Sequence, residues 1–343
     1  MRNITSLLAM VLGISCLAFA EPETRTKQVT LEGYAEWRSA GLLVVDGQRV
    51  IPAEDMRFEG ERRARRFQGI PLGYEVKVNG IRLENGAVLA REIKAKPNGS
   101  AFYEGSIRAG ADEMEQEFRR RGRVAGYDEH GHELWDYGEL LTSGPEVDRV
   151  RTMAERLTPP YLDAEEFRVY VIDNEEWNAM AAPNGSIFVF KGLLNDMDDD
   201  EVAIVLGHEL AHATHEHSRR SFKKAMLINL LGYGATAAAD AIESDAGRTV
   251  AKVGIYAGTL AWMNGYGRSE EDQADRVGLR YAYEAGFDVR KGPSLWNRFA
   301  EKYGGLPKAI NFFLGSHSVA KDRAKNLEQE LRLNYSGTDA RAH

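Results

Sequence analysis

Along residues 28–97 the apolar positions recur at every second residue in short runs. Residues 41–51 read GLLVVDGQRVI and residues 74–83 read YEVKVNGIRL, and neither run contains a proline. Alternation of this kind lines one face of an extended strand with apolar side chains. Asp46-Gly47 and Asn79-Gly80 are residue pairs that tight hairpins favour, so each predicts a turn. Together they predict a small all-β module, a compact barrel of about five or six strands. The run Glu61-Arg62-Arg63-Ala64-Arg65-Arg66 interrupts it. It reads as a solvated loop, with an anionic docking patch as the functional alternative.

Pro97-Asn98-Gly99-Ser100 reads as a linker, and residues 103–144 are polar and glycine-rich, with no element predicted. His130-Gly131-His132-Glu133 lies there without helical context, so a plain loop is expected rather than a metal cluster. From Pro145 the apolar period changes to that of a helix. Val147, Val150, Met153, Ala154 and Leu157 share a face, and Pro159-Pro160 ends the element. Strands follow at 167–172 and 186–190, the second after the turn residues Pro183-Asn184-Gly185. Two Ala/Gly-rich segments, 225–239 and 249–263, are interrupted by Asn229, Asp240 and Lys252. They are too short as apolar runs to span a bilayer and read as buried helices. Further helices are predicted over 269–285, ended by Gly286, and over 321–333.

Between these elements lies the chain's most informative stretch, His208-Glu209-Leu210-Ala211-His212. Asp198, Asp199 and Asp200 supply an N-cap and first-turn negative charge for a helix. Ala203, Leu206, Leu210 and Ala213 form its apolar stripe, and the two histidines project one turn apart on the other side. That spacing lets two imidazoles grip one Zn²⁺, with Glu209 placed to deprotonate a metal-bound water. A catalytic site needs a third ligand. Glu270-Glu271-Asp272-Gln273-Ala274-Asp275 offers one, since Glu271 and Asp275 share a helix face. Glu271 could bind the metal while Asp275 accepts the ring N–H of a ligand histidine. His217 lies nine residues from His208, about 180° round an ideal helix, and reads as structural. His215 points nearer the metal face but one turn too far along.

The chain has 343 residues, 43% of them hydrophobic, and a net charge of −8. That charge argues against nucleic acid or an anionic membrane surface as the main partner. Residues 1–20 read as a secretory signal: Arg2, an apolar core from Leu7 to Leu17, and Ala18-Phe19-Ala20 before Glu21-Pro22. The only cysteine, Cys16, falls inside it, so the mature chain would hold no disulfide. A lipoprotein anchored through Cys16 is the alternative, although Gly13-Ile14-Ser15 lacks the leucine such a signal favours. The expectation is a soluble exported protein, periplasmic in a Gram-negative cell, with no transmembrane span after cleavage.

Residues from 145 to 333 resemble the HtpX-like and CAAX-prenyl-protease-like gluzincin metallopeptidases, above all their soluble exported bacterial members. Four motifs carry the resemblance. Residues 178–194 (NAMAAPNGSIFVFKGLL) are similar to the hairpin before that family's active-site helix. His208–His212, with His217 five further on, matches the zinc-binding helix. Arg268-x-x-Glu271-x-x-Ala274-Asp275-x-x-Gly278 looks like the third-ligand motif and selects Glu271 over Glu270. Gly315-Ser316-His317, followed by Arg323, resembles the late motif whose histidine and arginine face the metal. The family often has Thr-His-Pro where this chain has Ser316-His317-Ser318, and its membrane-spanning helices are absent here.

The resemblance implies a mostly helical zincin domain with a small sheet; with the barrel module read from the alternation at 28–97, which lies outside the resemblance and is loosely similar to small OB-like bacterial modules, the expectation is an α+β protein. The domains expected are a signal peptide at 1–20, a β-module at 28–97, a linker region at 98–144, a peptidase domain at 145–333 and a tail at 334–343. It also implies one Zn²⁺ per chain on His208, His212 and Glu271, with Glu209 as general base and Asp275 behind the ligands. His317 and Arg323 would stabilise the oxyanion, or His317 would occupy the metal and hold the enzyme latent. Ser186, Ile187, Phe188, Val189 and Phe190 are expected to offer a strand edge to an extended substrate. Unfolded or misfolded polypeptides of the cell envelope are the expected substrates, and the β-module could recruit an envelope protein partner. The competing expectations are a chaperone or binding module with a latent zinc site, and a zinc hydrolase of a non-peptide envelope substrate.

Overall fold

The computed structural model describes residues 27–38, 42–45, 47–71, 73–97, 101–127, 132–159, 167–217, 266–303 and 320–335. The expected leader at residues 1–20 with Cys16, the Ala/Gly-rich segments 225–239 and 249–263, and His317 lie outside the described residues. No described helix is long and apolar enough to cross a membrane.

Five strands close the N-terminal barrel: β1 (Gln28–Arg38), β2 (Leu42–Val45), β3 (Gln48–Gly60), β4 (Glu75–Arg82) and β5 (Val88–Lys96), in the order β1-β2-β3-β5-β4. Only β3 and β5 run parallel. The alternation seen in the sequence decides the inside: Leu31, Ala35, Leu43, Val45, Val50, Val76, Val78, Val88 and Ile93 fill the core. Asn79-Gly80 does not turn. It lies within β4 at a register shift against β5, and a Cβ on Gly80 would sit 2.2 Å from the Leu89 carbonyl oxygen. Close backbone approach, not reversal, is what this glycine serves. The chain reverses instead around Gly86, whose φ is 80°.

The second sheet runs in the order β6-β7-β8-β10-β9, with β6 (Arg123–Tyr127), β7 (Glu133–Leu141), β8 (Val169–Asp173), β9 (Ala179–Ala181) and β10 (Ile187–Phe190). Only β8 and β10 are parallel. Ile187 and Val189 face one way, onto α2 (Pro145–Leu157) and α4 (Asp199–Thr214), which follows the short α3 (Lys191–Asp196). Phe188 and Phe190 face the other way, into a cluster with Phe118 of α1 (Ala101–Arg121). Burial on both faces is why this strand reads as an unbroken apolar run. Each buried phenylalanine contributes roughly 1.5–3 kcal/mol.

Helix α1 and strands β6 and β7 occupy the stretch for which the sequence predicted no element. Gly105, Gly110 and many charges disguise α1, yet Ala111, Met114 and Phe118 recur at helical spacing on its packed side. The buried Glu115 receives the guanidinium of Arg168, the hydroxyls of Ser186 and Tyr170, and the amide of Asn184. Burial alone would raise the Glu115 carboxyl, but Arg168, Ser186 and Tyr170 together hold it at about 2.

Three more helices complete the described residues: α5 (Arg268–Glu284), α6 (Gly292–Tyr303) and α7 (Ala320–Asn334). The second was not predicted. Helix α4 is not one-sided as the stripe suggested. It is buried nearly all round, beneath the sheet and against α5. The α4–α5 crossing is closest at two glycines. A Cβ on Gly278 would lie 2.5 Å from the His208 backbone nitrogen, and one on Gly207 would lie 2.6 Å from the Gly278 carbonyl oxygen.

Two outcomes follow from this packing. Gly278→Ala will force the helices apart and lower stability by about 1–3 kcal/mol in urea unfolding, with loss of bound metal. Glu115→Gln will lower stability at pH 7 by about 1–3 kcal/mol. Because the folded carboxyl titrates below its ordinary 4.5, its contribution is full above that pH. It fades as pH falls toward about 2, so wild type and variant will converge across that window in urea unfolding.

Candidate metal centre and active site

Helix α4 begins where three aspartates fall together. The Asp198 side chain accepts from the backbone N–H groups of Asp200 and Glu201, and the Glu201 side chain returns to the Asp198 N–H. This capping box sets the start of the helix and therefore the phase of everything after it. About three turns further on, His208 and His212 emerge one turn apart, facing α5.

The ligand atoms of His208, His212 and Glu271 all lie within 4.8 Å of one another and are fully buried. His208 Nε2 is 2.9 Å from His212 Nε2. Glu271 Oε1 is 3.4 Å from His212 Nε2, and its Oε2 is 3.7 Å from His208 Nε2. Around a tetrahedral metal bound at about 2.0–2.1 Å, neighbouring ligand atoms lie roughly 3.3–3.4 Å apart. The triangle fits that spacing. Charge fits too: the buried carboxylates of Glu209, Glu271 and Asp275 all act on one buried guanidinium, Arg323, an excess that suits a divalent cation. These residues could therefore hold a metal ion.

Behind His208 stands a second set of contacts. Asp275 Oδ1 is 2.9 Å from His208 Nδ1, so the ring donates there and leaves Nε2 as the acceptor end. Burial would raise the Asp275 carboxyl, but Arg323 and His208 outweigh it and hold it at about 2. Arg323 grips Asp275 with two bonds, of 2.9 and 2.6 Å, and its Nη1 is 3.3 Å from Glu271 Oε2. Its guanidinium lies 3.5 Å from the centroid of the Trp296 ring, which itself packs edge-on to His208. Arg323 was expected at the oxyanion. It lies, fully buried, among the carboxylates and against His208, with Nη2 3.0 Å from Nδ1 and 3.2 Å from Nε2 of that ring.

His212 has its own support. Its Nδ1 is 2.8 Å from His217 Nδ1, and His217 Nε2 is 2.9 Å from Gln273 Oε1. Tyr266 stacks on the His212 ring at 3.8 Å and donates its hydroxyl to the Ala181 carbonyl. The helical wheel put His217 on the far side, but α4 ends at Thr214. Glu216 then adopts φ 56°, and the chain turns His217 back to the site. His215 is buried against Thr214. Trp296, Gln273 and Tyr266 were not singled out in the sequence, because nothing local marks a residue whose partner is brought by another element.

Two further expectations meet the structure here. The strand of Ser186, Ile187, Phe188, Val189 and Phe190 is not an edge. β10 pairs with β8 on one side and β9 on the other, so both rows of its backbone groups are used. Among the described residues the sheet ends at β9, Ala179–Ala181, which packs beside α4. His132 and Glu133 are exposed at the start of β7 and join no metal cluster among the described residues, while His130 lies outside them.

Comparison with known proteins supports the same assignment. The model of peptidase family M48 matches residues 142–331. The chain is 34% identical to the mitochondrial metalloendopeptidase OMA1 of Bos taurus, over 47% of this chain and 32% of the relative. It is 27% identical to the mitochondrial metalloendopeptidase OMA1 of Arabidopsis thaliana, over 67% of this chain and 45% of that protein. It is also 27% identical to the beta-barrel assembly-enhancing protease of Escherichia coli, over 48% and 35% respectively. The chain thus spans less than half the length of these relatives. Because the family match takes in more than half of the chain and every residue of the metal cluster, the chain belongs to peptidase family M48.

Proposed function

We propose that this chain is a zinc metalloendopeptidase acting on unfolded or misfolded polypeptides of the cell envelope. The observation that carries the proposal is the buried triangle of His208, His212 and Glu271 with Glu209 next in sequence to the first ligand. Two imidazoles and one carboxylate form the donor set of catalytic zinc sites, which keep a fourth position open. Zinc bound there, one per chain, would polarise the scissile carbonyl and bring the pKa of the attacking water toward about 7.

The chain's own residues do the rest. Glu209 takes the water's proton and passes it to the leaving amine. Asp275 fixes His208 in the tautomer that offers Nε2, and Arg323 holds Asp275 and Glu271 in place. His317 serves the developing oxyanion. An extended substrate, the form that chains which have lost their fold present, enters beside β9 and α4 rather than along β10, whose two sides are already paired. The envelope setting rests on the exported leader and on the relative named a beta-barrel assembly-enhancing protease. The strand order of the N-terminal barrel supports an OB-like module, with an envelope protein as its partner.

The test is zinc content by mass spectrometry together with cleavage of casein, for wild type and Glu209→Gln. One zinc in both proteins is expected, with cleavage falling about 10²–10⁴-fold in the variant. Cleavage that survives Glu209→Gln would overturn the assignment of the base. Wild type that binds zinc yet cleaves no unfolded protein would overturn the peptidase reading.

A further inference from the structure

The barrel does not merely neighbour the metal centre. Ala35 of β1 points into the barrel core, so Glu36 points out of it, yet it is buried. There the Glu36 Oε1 accepts from Gln273 Nε2 at 2.7 Å and lies 3.2 Å from Arg276. Gln273 is the residue whose other amide atom meets His217, and His217 meets His212. Four buried side chains thus join the wall of the barrel to a metal ligand. The barrel is also pressed onto the end of the zinc-binding helix. A Cβ on Gly73 would lie 2.4 Å from the Thr214 carbonyl oxygen and 2.9 Å from the His215 Cα. Gly73 has φ 74°, so the loop before β4 has both the room and the turn that only glycine supplies.

We propose that Glu36, Gln273 and His217 are positioning residues through which the barrel holds His212 in its metal-binding tautomer. The argument rests on the reading of His208, His212 and Glu271 as ligands. Its direction is decided at the barrel end. A carboxylate held by Arg276 only accepts hydrogen bonds, so the Gln273 amide must turn its NH2 toward Glu36. Its oxygen therefore faces His217, and only a ring N–H can satisfy it, so His217 carries its proton on Nε2. His217 Nδ1 is then the acceptor for the Nδ1–H of His212. That leaves the lone pair of His212 on Nε2, the atom 2.9 Å from His208 Nε2 and 3.4 Å from Glu271. Reversing any one link reverses the rest. If Gln273 flipped, His217 would be protonated on Nδ1, His212 would be protonated on Nε2, and its metal-binding atom would be blocked. His208 takes its tautomer from Asp275, within the peptidase domain. His212 takes its tautomer from outside it.

The chain is tested in the full-length protein by two readouts that do not depend on catalysis. In metal-free wild type labelled with ¹⁵N-histidine, long-range ¹H–¹⁵N spectra are expected to show His217 protonated on Nε2 and His212 on Nδ1. Zinc affinity is then measured by chelator competition. His217→Leu removes the acceptor and is expected to weaken zinc by about 10–100-fold. His217→Gln supplies an amide oxygen and is expected to restore most of it. Glu36→Leu is expected to weaken zinc by about 10-fold and to move the His217 proton to Nδ1, whereas Glu36→Gln, which keeps an oxygen toward Gln273, is not. A His217 protonated on Nδ1 in wild type overturns the proposal without any variant. So does a Glu36→Leu protein with wild-type zinc affinity and an unchanged tautomer. Wild type that binds no zinc, or His212→Ala that binds it as tightly as wild type, would instead overturn the ligand assignment, while the tautomer spectra still decide the direction of the chain.

Discussion

The contact on which the site depends is between two backbones. Helices α4 and α5 cross with Gly207 and Gly278 facing each other, and the space between them admits no Cβ on either. His208 follows Gly207 directly, and Glu271 lies two turns before Gly278 on the facing side of α5. At an ordinary helix separation of about 8–10 Å the shorter side chains could not all meet. With the glycines in contact, one imidazole pair and one carboxylate come within bonding range of a common point. The small residue in the third-ligand motif is therefore as much a part of the metal centre as the carboxylate seven residues before it.

Bringing the helices so close concentrates charge where water cannot reach. Glu209, Glu271, Asp275 and Arg323 are each at most 4% exposed, a burial that isolated ions would not tolerate. The structure answers by interlocking them. Arg323 bridges Asp275 and Glu271, Asp275 takes the His208 N–H, and Trp296 closes the face of the guanidinium. A network of this sort is stable as a whole and costly in any half-made form. That is consistent with its being drawn from three elements, α4, α5 and α7, with α6 packed behind.

The two histidines of the candidate metal site are supported from opposite directions. His208 is held by residues of the peptidase domain, and His212 by a line of side chains that reaches the barrel. The barrel and the α1–β6–β7 segment lie wholly or almost wholly before the family match, yet neither is an appendage. Strand β7 extends the sheet beyond β8, and Glu36 reaches His212 through two intervening side chains, Gln273 and His217.

The HExxH stretch, the capping aspartates before it and the acidic pair Glu271 and Asp275 were legible in the sequence, because each depends on spacing along one helix. The same holds for the barrel, whose alternation names its inside, and for the turn of helix from Pro145 to Leu157. What the sequence could not show was any relation set by partners far apart in the chain. Asn79-Gly80 has the composition of a turn, and only its place opposite Leu89 makes it a bulge. β10 has the composition of a strand, and only its neighbours β8 and β9 make it internal. His217 falls on the wrong side of an ideal helix, and only the helix's end at Thr214 brings it back. Local periodicity decided which elements form and which residues could bind metal. Tertiary packing decided which of them meet, because burial, strand pairing and hydrogen-bond direction are properties of contacts, and contacts join residues that the sequence keeps apart.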